Sequence, residues 1–254
     1  MTERPADRRA ELAAALDTVR DRLTAACAAA RRDPAEVALL AVTKNFPASD
    51  VALLADLGLT EFGENKDGEA AGKKAEFTAL RPDTETRWHM VGRLQRNKAR
   101  SVARWAAMAQ SVDSDRLINA LSRAAEQALD AGERTRPLEV LLQVSLDGDP
   151  ARGGALIDDL PVLANHVAAS ASLRLRGVMA VAPLGQPPAP YFERLVIAAN
   201  RLRTDHQEAI MVSAGMSGDL ETAIEWGSTC VRVGTALLGT RQLASQAGVE
   251  KGRP

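Results

Sequence analysis

The sequence predicts a closed (β/α)8 TIM barrel with one extra helix at its N-terminus. Three observations carry that prediction. Short apolar runs alternate with helical segments eight times along the chain, the pattern of right-handed βαβ units and a parallel sheet. The first run, VALLAVTK at 37–44, lacks polar alternation, as expected of a strand covered on both faces. The 254 residues match one such barrel, which runs to about 250 residues. An open doubly wound sheet would call for G-x-G-x-x-G after the first strand, and none follows it. With no linker or internal repeat in view, residues 1–254 read as one domain with a short polar tail at 242–254.

The elements follow in order. Leu12, Leu16, Val19 and Leu23 recur at helical spacing. That helix ends before Asp33-Pro34, because the residue preceding proline is driven out of helical geometry. The strand at 37–44 is followed by a helix at 47–57 with Asp50 in its first turn, then strand 59–63 and helix 66–80. Strand 87–92, helix 96–105 and strand 108–112 come next. Ser114 or Asp115 caps a helix at 114–131. Strand 138–145 leads to a helix at 153–169, broken or restarted near Pro161. Strand 173–181, a proline-rich loop at 182–190, helix 191–204, strand 209–213, helix 217–226 and strand 229–234 complete the eight units. The extra first helix is expected to cover the bottom or side of the barrel.

Composition narrows the function classes. Lys+Arg is 32 and Asp+Glu 33, so no global charge draws the chain to nucleic acid or an anionic membrane. The cations Arg93, Arg96, Lys98, Arg100 and Arg104 read as a solvated helix face. No apolar run approaches the ~18–20 residues of a membrane span. The charged N-terminus lacks a signal peptide's apolar core, so a cytoplasmic protein is expected. Two distant cysteines and three unclustered histidines argue against a disulfide framework or zinc site.

Barrels build their sites at the C-terminal ends of strands. Lys44 closes the first strand. Apolar surroundings there would free its amine to form a Schiff base; the bland alternative is a lysine snorkelling at a strand end. Ser213-Ala-Gly-Met-Ser217 and Gly234-Thr235 follow strands seven and eight, where barrels often hold a phosphate. Turn and capping chemistry is the other reading, with Ser217 as N-cap of the following helix. Arg232 alternates with Val231 and Val233, so it points into the barrel and needs either a structural partner or a ligand. An amine, a phosphate cradle and an arginine at one barrel mouth fit pyridoxal 5′-phosphate.

The motifs LLAVTKNFP around Lys44, FGEN at 62–65, WHMVGRLQRNK at 88–98 and SAGMSGDLETAIEWGSTCVRVGTALLG at 213–239 resemble the pyridoxal phosphate homeostasis protein family, in order and over almost the whole chain. The resemblance implies the barrel of the N-terminal part of alanine racemase. It implies Lys44 as the Schiff-base lysine, Ser213, Gly234 and Thr235 at the phosphate, Arg232 at the ring nitrogen, and Asn65 and His89 near the mouth. Ala214, Arg93, Lys66 and Ser145 depart from the family's usual residues and leave the rim of the site open.

For such a family the expected role is holding the cofactor for intracellular homeostasis and passing it to apo-enzymes that use it. The chain is expected to act as a monomer without nucleic acid or membrane. The competing reading is a low-turnover, racemase-like amino-acid enzyme. A racemase needs a second acid/base opposite its lysine, and the lone tyrosine, Tyr191, reads as a packing residue. A cation at the ring nitrogen would also weaken the cofactor as an electron sink.

Overall fold

In the computed structural model, which describes residues 5–240, eight parallel strands close on themselves in the order β1 to β8. The strands are β1 Ala38–Val42, β2 Glu61–Glu64, β3 Arg87–Met90, β4 Met108–Val112, β5 Leu138–Gln143, β6 Leu173–Met179, β7 Met211–Ser213 and β8 Cys230–Val233. The helices are α1 Pro5–Ala29, α2 Ala48–Asp56, α3 Asp67–Leu80, α4 Ala99–Trp105, α5 Asp115–Asp130, α6 Leu160–Ala168, α7 Ala189–Asp205, α8 Leu220–Glu225 and α9 Thr235–Leu238. The polar tail expected at 242–254 lies outside the described residues. No helix of the described residues is long and apolar enough to cross a membrane.

The barrel agrees with the expected fold class, and most elements lie within a few residues of their expected bounds. One helix differs. Instead of starting at 153, α6 begins at Leu160 with Pro161 in its first turn, where proline's missing N–H costs nothing. Gly153 and Gly154 have φ of 70° and 99°, outside right-handed helical space. They fold the chain back so that Ala155 bridges Val144 beside the end of β5.

The principal core lies between sheet and helices. Phe62 of β2, Trp88 of β3 and Phe77 of α3 pack there at tilted and edge-to-face angles with ring centroids 5.7–6.3 Å apart. Leu12, Leu16, Val19 and Leu23 of α1 are buried in it, as their spacing predicts. This helix takes the side of the barrel, against α8, α9 and α2. The four-residue α9 is too short to cover β8, and α1 completes the helical layer there. Arg22 of α1 pairs with Glu221 at 2.8 Å and donates to the Ser217 carbonyl at 3.0 Å. Arg8 pairs with Asp50 at 2.8 Å.

Inside the barrel, Met108, Leu141 and Met179 form a separate small apolar cluster. Cys230 is buried there at the start of β8, and burial pushes its thiol up to about 11. Reaction with a thiol reagent at pH 8 is therefore expected to spare Cys230 in the folded protein and to label it once denaturant is added. Labelling in native buffer at the rate of a free cysteine would mean that β8 is not packed as described.

Candidate functional site

Strands β7, β8 and β1 are consecutive around the barrel, and the chemistry gathers at their C-terminal ends. Lys44 lies two residues beyond Val42 and is exposed. The apolar surroundings expected for it are not found in this structure, because the chain leaves the sheet after Val42 and turns through Asn45 at φ 65°. The backbone carrying Lys44 is nonetheless anchored. Thr43 Oγ1 donates to Glu64 Oε1 at 2.6 Å; Lys73 Nζ donates to the same oxygen at 2.6 Å and to the Thr43 carbonyl at 2.8 Å. Thr43 and Glu64 are 0% exposed and Lys73 only 8%.

Breaking one side of a buried pair leaves the other charge uncompensated. Lys73→Met is therefore expected to cost about 3–5 kcal/mol in urea unfolding. The double variant Glu64→Gln/Lys73→Met should recover much of that loss. Equal losses in the single and double variants would show that the pair itself does not anchor this turn.

Arg232 is 5% exposed and points inward, as its alternation with Val231 and Val233 predicts. Its partners are oxygens: Nη1 donates to the Ser213 carbonyl and to Ser213 Oγ, both at 2.7 Å, and Nη2 donates to the Ala180 carbonyl at 2.7 Å. Both Nη1 hydrogens and one on Nη2 are thereby committed, which leaves the Nε hydrogen and the second on Nη2. Burial pulls the guanidinium's pKa down from its ordinary value, but arginine stays charged across the working range.

Arg232 is the end of a polar chain that crosses the barrel. Ser213 Oγ donates to Gln110 Oε1 at 2.7 Å. The Gln110 amide nitrogen then faces His89 Nδ1 at 2.8 Å, and His89 Nε2 meets Glu61 Oε2 at 2.5 Å. An amide NH2 can only donate, so His89 Nδ1 accepts and the ring proton sits on Nε2, donated to Glu61. Burial would raise the Glu61 carboxyl, but His89 and Arg87 outweigh it and hold its pKa below the ordinary value.

Two sequence-derived placements change. His89 is 1% exposed, inside the barrel and not near its mouth, because the register aligns Glu61 with Arg87 and Gly63 with His89 on the inner face. Ser213, expected at a phosphate, is 0% exposed; its one hydroxyl proton is spent on Gln110 while its oxygen accepts from Arg232.

The hydroxyl that does face the neighbouring loop is Ser217. Ser217 Oγ lies 3.4 Å from Thr235 Oγ1 and 3.4 Å from the Ala236 amide nitrogen. It is not the N-cap of α8; Asp219 holds that position and accepts from the Met216 amide at 2.6 Å. Gly234 joins this loop to the lysine strand. A Cβ there would sit 3.3 Å from the Val42 carbonyl oxygen, so a larger residue would require β8 or β1 to give by a few tenths of an ångström just below Lys44.

Asn65 is half-buried at the end of β2 and lines a rim cavity of 300 Å³ with Lys66, Arg93 and Lys98. Lys66 pairs with Glu69 at 3.0 Å, and Ser145 Oγ accepts from the Gly148 amide at 3.1 Å, closing its own turn. The structure thus gathers Lys44, Arg232, Gly234 and Thr235 around the ends of three neighbouring strands. It leaves Asn65 on the flank and puts His89 beneath. Sequence reasoning missed Gln110, Glu61 and Lys73. Two polar residues, Gln110 and Ser111, inside the short strand MAQSV were the available signal for Gln110.

The profile of the alanine racemase N-terminal domain matches residues 15–242. Over 248 residues the chain is 48% identical to the pyridoxal phosphate homeostasis protein of Mycobacterium leprae, covering 94% of this chain and 96% of that one. Among solved structures, PipY of Synechococcus elongatus with pyridoxal phosphate bound superposes with a TM-score of 0.76 at 32% identity, covering 90% of this chain and all of PipY. Alanine racemase of Corynebacterium glutamicum shares the fold at a TM-score of 0.62 and 15% identity, covering 87% of this chain and 60% of the racemase. Matches of this extent and identity place the chain in the pyridoxal phosphate homeostasis protein family.

Proposed function

We propose that the protein binds pyridoxal 5′-phosphate at the mouth formed by β7, β8 and β1 and holds it in reserve for apo-enzymes. The observation that carries this reading is the convergence of three unlike groups on adjacent strand ends. An exposed amine, Lys44, follows β1. A pair of hydroxyls with a backbone amide, Ser217, Thr235 and Ala236, follows β7 and β8. Between them lies a buried guanidinium with hydrogens to spare, Arg232.

These donors fit the cofactor. When bound, pyridoxal phosphate supplies an aldehyde for a lysine and a ring that can draw electrons from an amino acid. Lys44 is the amine for the first. Ser217, Thr235 and the Ala236 N–H are donors for the phosphate, a task carried over from Ser213 in the sequence reading. Asn65 borders the entrance. Arg232 donates to the ring nitrogen and, being permanently cationic, keeps a proton off it. That opposes the electron sink on which amino-acid chemistry relies, and supports storage over turnover. The same reading has the chain act as a cytoplasmic monomer, without nucleic acid.

Mixing the protein with pyridoxal phosphate should produce an absorbance band near ~420 nm that borohydride abolishes. No such band at saturating cofactor would overturn the reading. Exchange of an amino acid's α-proton in heavy water at an enzyme-like rate would replace the carrier with the racemase-like alternative.

A further inference from the structure

At the opposite, N-terminal end of the barrel, below the starts of β3, β5 and β6, a cavity of 410 Å³ lies against the C-terminal end of α4. Six cations line it: Lys74, Arg87, Arg104, Arg134, Arg136 and Arg174. Three are neutralised by acids. Arg104 pairs with Glu133 at 2.8 Å, Arg174 with Glu208 at 2.6 Å, and Arg87 with Glu139 and with Glu61. Among the described residues, no ion pair reaches Lys74, Arg134 or Arg136.

Two of these three are half-buried and bonded only to carbonyls. Lys74 Nζ donates to the Trp105 carbonyl at 2.7 Å. Arg134 Nη1 donates to the Ala103 carbonyl and, at 3.1 Å, to that of Ala106, while its Nε donates to the Arg136 carbonyl at 2.8 Å. Burial lowers the pKa of both, and the charge of Arg134 lowers that of Lys74 further. Glu139, the acid that bears on Arg134, is already held by Arg87 and Arg176.

Capping the end of α4 accounts for the hydrogen bonds but not for the charge. A helix C-terminus carries about half an elementary negative charge, against three unpaired cations around one hollow. We propose that this cavity is a binding site for a small polyvalent oxyanion, of the phosphate or di- or tricarboxylate kind, separate from the mouth and independent of what the mouth binds. Guanidinium forks and an ammonium suit such oxyanions, and the cavity is large enough for a small one.

Calorimetric titration of inorganic phosphate and of citrate, at constant ionic strength in chloride, tests the site. Two backgrounds remove the mouth from the result: protein reduced with borohydride after one equivalent of pyridoxal phosphate and dialysed free of excess, and the Ser217→Ala/Thr235→Val variant. Saturable binding with one site per chain is expected in both. Lys74→Gln and Arg136→Gln should each weaken it by about 10-fold, the loss of one charged hydrogen bond. Arg136 is exposed, so its variant tests the site even if Lys74→Gln fails to fold. Binding of phosphate alone would point to a phosphate or phosphate monoester, and binding of citrate alone to a polycarboxylate. No saturable binding of either anion, or binding that Arg136→Gln leaves unchanged, would overturn the proposal.

Discussion

Lys44→Ala should abolish the borohydride-sensitive band near ~420 nm while leaving the fold intact. Lys44 is exposed and follows the last paired residue of β1. Its truncation therefore removes no core contact and should shift stability by no more than about 0.5 kcal/mol. Pyridoxal phosphate should still bind, more weakly and without covalent attachment, because the phosphate donors are untouched. A variant that keeps a reducible adduct would move the attachment to another lysine. Lys66 and Lys98, which line the rim cavity, are the alternatives, whereas Lys73 is committed to Glu64 and the Thr43 carbonyl.

The second large effect is expected at the phosphate loops. Each hydrogen bond to a charged group is worth about 1.5–3 kcal/mol, or about 10–150-fold in affinity. Ser217→Ala/Thr235→Val should therefore lose at least that much affinity for pyridoxal phosphate while changing its affinity for pyridoxal little. Ser213→Ala should act differently. It unties Gln110 and removes one acceptor from Arg232, so its cost should fall on folding stability and on the ring rather than on discrimination between phosphorylated and unphosphorylated cofactor. If Ser213→Ala alone erased that discrimination, the roles of the two serines would be reversed. Comparing pyridoxal with pyridoxal phosphate by equilibrium dialysis separates the outcomes.

These two serines mark where the sequence was legible and where it was not. Strand alternation and the apolar run before Lys44 were enough to read eight βα units, because burial on both faces leaves a local signature. Arg232 was legible for the same reason, through the parity of Val231 and Val233. Ser213 closes β7 and Ser217 lies in the turn just after it, and nothing local distinguishes a hydroxyl turned inward from one turned toward the next loop. The distinction depends on Gln110, 103 residues earlier. His89 was misplaced in the same way: its motif sits at a strand end, but its partner Glu61 is set by the register of β2 against β3. The restart of α6 was legible from Pro161, whereas the loss of helix from 153 onward rests on the positive φ of Gly153 and Gly154. The side position of α1 reflects the shortness of α9, which only the closed barrel makes visible.

The most direct measurement of the central claim is chemical. The protein is incubated with pyridoxal phosphate, reduced with borohydride, digested, and the modified peptide identified by mass spectrometry. One reduced phosphopyridoxyl group per chain is expected, on Lys44, and it should disappear in Lys44→Ala. A modification spread over several exposed lysines, or a single one located elsewhere, would contradict a built site at the junction of β7, β8 and β1.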